Sequence, residues 1–261
     1  MNKALFHIPH CSKYIPLQFR DQFLLTKEEL RRELLCMTDY KTDELFYLDE
    51  HQIYIKGKVS RLVVDLERFP IDEEEPMAKV GMGAVYTKTS DTKPLRRELL
   101  PEEKNYLMNR YYYKHHNTLN EAVKKFLEEN GTVILFDCHS FSSHKLLYEQ
   151  CTSDIRPDIC IGSDGYHTPK ELAEFALKFF QDRGYETVLN IPFAGSLVPS
   201  DYYQKNKNVI SIMIEVNRKL YMNEAAGRIS KSFIRVKTDI NQCCRKIIER
   251  NSSGIFQITD E

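Results

Sequence analysis

The stretch 133–140 reads Val-Ile-Leu-Phe-Asp-Cys-His-Ser. An apolar run leaves the Asn130-Gly131 turn and gives way to polar residues, as in a strand buried on both faces whose polar groups mass at its carboxyl end. Five further stretches carry strand-length apolar patterning: 4–8, 59–66, 158–162, 186–189 and 209–216. Between them the period lengthens to that of helices. The stretch 26–49 reads as helical in two pieces, the first opened by Thr26 and Glu29 at capping-box spacing. A long helix is predicted over 101–129, with Pro101 at its start, acids in its first turn and Gly131 at its end. Others are predicted over 168–182 and about 225–250, the latter followed by a frayed tail over 251–261. Strands alternating with helices in this way build an α/β domain: a mixed, mostly parallel central sheet with helices on both faces. No linker interrupts the pattern, so residues 1–261 are expected to form one domain.

Composition narrows the function. A formal net charge of −1 over 261 residues supplies no field for nucleic acid or anionic membranes. No apolar run approaches the ~20 residues of a spanning helix. The opening residues show no signal-peptide apolar region, and the seven cysteines follow no metal-ribbon or paired spacing. A cytoplasmic protein with reduced thiols is expected. The pair Gly81-Met82-Gly83, without a third glycine opening a helix, is too short for a phosphate cradle.

Chemistry collects where strands end. In open α/β sheets ligands sit beyond the carboxyl ends of strands. Strand 4–8 is followed by Pro9-His10, strand 133–140 carries His139, and strand 209–216 carries Glu215. A carboxylate inside so apolar a strand is costly unless it is paired, metal-bound or protonated. Asp39 lies where a helix starts, as either a cap or a carboxylate aimed at a site. Two imidazoles and a carboxylate, with a fourth position left for water, are what a catalytic zinc takes. A further carboxylate then moves the water's proton, a role that suits Glu215. Each histidine also has a plainer reading, as a loop group bonded to backbone. Arg61 near the start of the stretch 59–66 and Arg68 just past its end serve either as bidentate carboxylate readers or in ion pairs with Asp65 or Glu67. His115 and His116 are helix neighbours, so at most one points at a site.

Six blocks in this order carry a resemblance: Pro9-His10, Arg61-Leu-Val-Val-Asp-Leu-Glu-Arg68, Tyr112-Tyr-Lys-His-His116, Asp137-Cys-His-Ser140, Asn190-Ile-Pro-Phe-Ala-Gly195 and Ile214-Glu-Val-Asn-Arg-Lys-Leu-Tyr-Met222. Over roughly residues 4–224 the chain resembles the N-formylglutamate amidohydrolase family, and more remotely it is similar to the aspartoacylase and zinc-carboxypeptidase group. The resemblance implies one zinc ion held by His10, His139 and Asp39, with Asp43 in reserve for Asp39. It implies Glu215 as the base, Arg68 as reader of the substrate carboxylate with Arg61 in support, His116 on the substrate or oxyanion, and Asn190 and Gly195 lining the pocket. The substrate implied is a small acidic N-acyl, N-formyl, amino acid. A peptidase or amidase acting on peptides or cell-wall stems, and an inactive metal-binding module, are the alternatives. The chain departs from the family pattern at Cys11-Ser12, where the family reads Ser-Gly, and at Glu67, where it reads Asn. An acid beside the carboxylate reader repels an acidic substrate unless it is paired away.

Overall fold

A computed structural model describes residues 3–256. Six strands form one sheet: β1 (Leu5–Ile8), β2 (Ile53–Lys56), β3 (Val133–Phe141), β4 (Ile159–Gly162), β5 (Thr187–Leu189) and β6 (Val209–Asn217). Their order is β2-β1-β3-β6-β4-β5. The quartet β2-β1-β3-β6 is parallel, β4 runs antiparallel to β6, and β5 is parallel to β4. This is the mixed, mostly parallel sheet expected. The long central strands β3 and β6 are buried at every position, which is why their sequences run apolar without alternation.

Register decides which face each side chain takes. Leu5 pairs with Leu135 and His7 with Asp137, while Leu135, Asp137 and His139 pair with Ser211, Met213 and Glu215. Because side chains alternate across a strand, Leu5, His7, Leu135, Asp137, His139, Met213 and Glu215 share one face. The lower part of that face is apolar. There Leu5, Val133, Leu135 and Val209 pack against Leu119, Val123 and Phe126 of α4 (Lys114–Asn130). The upper, carboxyl end is polar. The opposite face is mostly apolar, with Ser140 and Lys56 at its carboxyl end. Phe6, Ile134, Phe136, Ile212 and Ile214 meet α5 (Lys170–Gln181) and α6 (Phe233–Ser252), the latter through Val236, Ile240, Cys243 and Ile247 at helical spacing. Each such aliphatic side chain, fully buried, contributes ~1.5–3 kcal/mol. Helices therefore cover both faces, and none among the described residues is long and apolar enough to cross a membrane.

Three expectations are corrected. Residues 59–66 form no strand. Ser60 turns the chain, its oxygens accepting from the backbone N–H groups of Leu62, Val63 and Val64. The apolar run arises because Val59, Leu62, Val63, Val64 and Leu66 enter a second hydrophobic cluster, with Met82, Tyr86, Leu95, Leu107 and Tyr112. The strand of this region is β2, just before it. Second, the helix expected over 101–129 changes pitch. Pro101–Leu107 and α4 are α-helical, but Met108–Tyr113 between them forms a π-helical turn. Third, the last helix starts at Phe233 rather than near 225, because Met222–Asn223 and Arg228–Ile229 form a small hairpin ahead of it. Of the tail expected from 251, residues 251 and 252 end that helix, and 257–261 lie outside the described residues.

Two local devices place the site. The first helix, α1 (Lys27–Met37), opens on the Thr26–Glu29 capping box: Glu29 N–H donates to Thr26 Oγ1 (3.3 Å) and Thr26 N–H to Glu29 Oε2 (2.9 Å). It ends where Arg218, buried just past β6, donates through Nη1 to the carbonyls of Leu35, Cys36 and Thr38. Asp39 follows the extended Thr38 at the helix end, and its N–H donates to the carbonyl of His10 (3.0 Å). The second device is Gly57, whose backbone lies against Pro9. A Cβ there would stand 1.9 Å from the Pro9 carbonyl oxygen, so only glycine lets β2 run this close to the turn that presents His10.

Candidate metal centre

His10, Asp39 and His139 converge above the carboxyl ends of β1 and β3, all three buried. One ligand atom from each lies within 4.8 Å of the others. Asp39 Oδ2 stands 3.1 Å from His139 Nδ1 and 3.7 Å from His10 Nδ1. Around a tetrahedral zinc, ligand atoms at ~2.0–2.2 Å from the ion stand roughly 3.3–3.6 Å apart, which these distances bracket. His10 Nδ1 is buried and has no hydrogen-bond partner. Its other ring nitrogen, Nε2, lies 2.8 Å from Asp65 Oδ1. His139 is arranged likewise: Nε2 sits 3.0 Å from both Asp137 Oδ1 and Glu67 Oε1, leaving Nδ1 toward Asp39. A carboxylate behind each imidazole fixes its tautomer and aims the remaining nitrogen, the support that metal-binding histidines need. The donor set and the orphaned nitrogen thus fit a zinc-like cation. Asp43, the reserve for Asp39, faces away and approaches Lys56 (3.5 Å).

The field of the site favours positive charge. Burial and Arg61 push the His10 imidazole down, but Asp65 and Asp39 outweigh them, and its pKa lies above the usual value. Burial also opposes a charged His139, yet Glu67 and Asp137 raise it well above normal. Asp39, despite a burial penalty, is held low by His10 and His139.

Glu215, directly beside His139 on β6, shares the same face. Its Oε2 is buried without a partner. Burial above all, with Asp39, Glu67 and Asp137 adding to it, pushes its carboxyl up to about 8 against the opposing pull of His139. Asp65 is fully buried and heavily held: Arg61 donates to Oδ2 through Nη2 (2.7 Å) and Nε (3.1 Å), Tyr86 donates its hydroxyl, and the Glu67 N–H donates to Oδ1. Arg61 is therefore spent on Asp65. Arg68 is not: its Nε is 3.8 Å from Asp65 Oδ2 and makes no hydrogen bond.

The remaining expected residues stand further out. Asn190 bridges to Ser163, accepting from its N–H and donating to its hydroxyl (both 2.9 Å). Gly195 packs its carbonyl oxygen against Gly162. Their loop reaches the site through other atoms, the Leu197 N–H donating to Asp137 Oδ2 (2.9 Å) and the Phe193 carbonyl accepting from Cys160 (3.2 Å). His116 donates through Nε2 to the Leu66 carbonyl (2.8 Å), while Tyr112, from the π turn, donates to the Arg68 carbonyl (2.7 Å). These two pin the segment that carries Asp65, Glu67 and Arg68.

Burial and the neighbouring His7 push the His116 imidazole down to about 4, and burial pushes His115 down to about 2. A histidine with a depressed pKa stabilises the fold in full above its unfolded value of 6.5, and that contribution declines as the pH falls toward 4. For His116 the loss comes to about 2–3 kcal/mol. Denaturant unfolding from pH 7.5 to 4.5 is expected to show a steeper loss of stability in the wild type than in His116→Gln; equal slopes would contradict it.

Glu67, Asp137, His7 and Asp65 occupy this centre although the sequence reading placed none of them there. Glu67 is turned inward, Oε1 toward His139 Nε2 and His7 Nδ1 (3.6 Å) and Oε2 toward His10 Nδ1 (3.6 Å), so the acid expected to repel a substrate is paired away.

Comparison with known proteins agrees with this architecture. The family model for N-formylglutamate amidohydrolase matches residues 2–222. An N-formylglutamate deformylase of Pseudomonas putida is 27% identical over 228 residues, 84% of this chain and 82% of that protein. Another, of Pseudomonas aeruginosa, is 30% identical over 173 residues, 64% of this chain and 63% of its own length. Among solved structures, the N-formylglutamate amidohydrolase of Ralstonia eutropha JMP134 superposes with a TM-score of 0.84 at 21% identity, covering 96% of this chain and 94% of that one. A protein of Agrobacterium tumefaciens follows at 0.64 and 19%, covering 97% and 91%. These two show the fold. With a family model spanning most of its length and matching blocks that converge on one buried centre, the chain belongs to the N-formylglutamate amidohydrolase family.

Proposed function

We propose that this protein is a zinc-dependent amidohydrolase that cleaves N-formylglutamate, or a closely similar acidic N-formyl amino acid, to the free amino acid and formate. The observation that carries the reading is the meeting of His10, Asp39 and His139 within 4.8 Å, with Glu215 on the adjacent strand. The family model and the deformylase relatives point to the same reaction.

His10 Nδ1, His139 Nδ1 and Asp39 Oδ2 would hold the ion. A zinc there supplies Lewis acidity, acidifying water and polarising the formyl carbonyl. Arg68, the arginine not committed to Asp65, holds a substrate carboxylate through its guanidinium. Glu215 Oε2 takes the proton of the attacking water and passes it to the amine nitrogen as the carbon–nitrogen bond breaks. Its pKa, raised toward neutrality by burial, suits a group that must both accept and return a proton. Asp65 and Asp137 act behind the imidazoles, and Arg61 acts behind Asp65.

A panel of N-formylglutamate, N-acetylglutamate, N-formylalanine and short peptides tests the reading. Turnover is expected for N-formylglutamate, and peptide cleavage without deformylation would reject it. In the same panel Arg68→Ala is expected to raise KM for N-formylglutamate by roughly 10–100-fold, the loss of a charge-assisted hydrogen bond worth ~1.5–3 kcal/mol. N-formylalanine, lacking the side-chain carboxylate, separates the two carboxylates: an Arg68→Ala penalty smaller for it than for N-formylglutamate assigns Arg68 to the side chain.

A further inference from the structure

His7, Glu67 and Asp137 form a second group of convergent donors immediately beside the first. His7 is fully buried on β1, one register step across from Asp137. Its Nδ1 lies 3.0 Å from Asp137 Oδ1 and 3.6 Å from Glu67 Oε1. Its Nε2 lies 2.9 Å from Nε2 of His115, which reaches in from the amino-terminal end of α4. From these contacts we infer that His7, Asp137 and Glu67 hold a second divalent cation, with the Glu67 carboxylate bridging it to the ion at His10, Asp39 and His139. The inference rests on the reading of that first centre as a metal site.

Three observations support it. The first is the bridge. Glu67 stands between the two donor groups, Oε1 lying 3.6 Å from His7 Nδ1 and 3.0 Å from His139 Nε2, and Oε2 lying 3.6 Å from His10 Nδ1. The second is the support behind the ligands. A neutral His7 with a metal on Nδ1 carries its proton on Nε2, where His115 stands to accept it. Asp137 is fixed by the Leu197 N–H on Oδ2, which turns Oδ1 to the point between His7 Nδ1 and His139 Nε2, 3.0 Å from each. The third is charge. Of the arginines at this pocket, Arg61 is bonded to Asp65, and Arg68 has its Nε 3.8 Å from that same carboxylate. Asp39, Glu67, Asp137 and Glu215 are left to share one buried space. One divalent ion offsets two of the charges on Asp39, Glu67 and Asp137 and leaves one for a second ion. Paired cations joined by carboxylates are an established way to clamp both oxygens of a reaction at a hydrolytic centre.

The competing account is a hydrogen-bonded chain, His139–Asp137–His7–His115, holding protons and no second ion. Metal-free protein titrated with Zn2+ alone, with bound metal counted after equilibrium dialysis, separates the two. Two ions per chain are expected for the wild type and one for His7→Gln, which keeps a hydrogen-bonding side chain at the position. One ion per wild-type chain at saturating zinc overturns the second site and leaves the proposed function standing. No bound ion overturns both. Two ions retained in His7→Gln also overturn the assignment. An anomalous difference map of zinc-loaded wild-type crystals reads the same question without a variant: a peak against His7 Nδ1 as well as one against His10 Nδ1 is expected, and a single peak refutes the second site.

Discussion

Glu215→Gln is expected to lower kcat by roughly 10²–10⁴-fold, the usual contribution of a positioned general base, while the protein keeps its metal. Glutamine matches glutamate in size and can still hydrogen-bond, but it cannot take a proton from water. The site offers no obvious substitute. Asp39 is held low by two imidazoles, and Asp65 and Asp137 are each engaged by neighbours on both oxygens. Glu215 is different because its Oε2 is buried with no partner, in a position costly for a charged carboxylate unless it has work to do. The same desolvation that raises its pKa predicts the sign of the stability effect. Replacing an unpartnered buried carboxyl by a neutral amide should leave the melting temperature unchanged or slightly higher. Kinetics together with metal analysis check the role: a kcat within tenfold of wild type, or zinc lost along with activity, would remove Glu215 as the base.

The sequence made the middle of this sheet plain and its margins obscure, for physical reasons. β3 and β6 are buried on both faces, so their runs are unbroken, and the polar residues that end them stand out. The run at 59–66 has the same apolar density for another cause, since it fills a second cluster through a turn built on Ser60. Composition cannot tell these apart, because both bury the same side chains. β2, with Tyr and Lys alternating with isoleucine on a half-covered edge, carried too little apolar signal.

The site divides in the same way. His10, His139 and Glu215 were legible because they interrupt or follow apolar strands. Asp39 took its place from the family resemblance, since its backbone bond to His10 and the Arg218 brace behind it join positions far apart in the chain. His7 carries a signal of its own: a histidine inside a strand buried on both faces needs a partner, and it stands at even spacing from Leu5 on what proves to be the polar face. From the sequence Glu67 reads only as an acid that repels the substrate. Its meaning depended on which way the Asp65–Arg68 segment turns, and that is set by His116 and Tyr112 from the π turn, out of reach of any local pattern.

His139→Ala should abolish the ion held with His10 and Asp39 and lower kcat/KM by roughly 10³-fold or more, since Lewis-acid stabilisation of the reaction is worth several kcal/mol and each ~1.4 kcal/mol is a factor of ten. The variant removes more than a ligand. His139 stands within 3.1 Å of Asp39, Asp137 and Glu67 and is the group whose positive charge they jointly favour, so its loss leaves three carboxylates, those of Asp39 and Asp137 buried, facing one another. A fall in melting temperature at neutral pH is therefore expected alongside the metal loss, easing as the pH is lowered and the acids take up protons. Asp65→Asn provides the contrast. Asp65 acts behind His10, so zinc should bind ~10–100-fold more weakly rather than being lost, and added metal should restore activity in that variant but not in His139→Ala. Zinc bound at His10 and Asp39 with unchanged affinity in His139→Ala would mean that the three side chains meet for some purpose other than holding a cation.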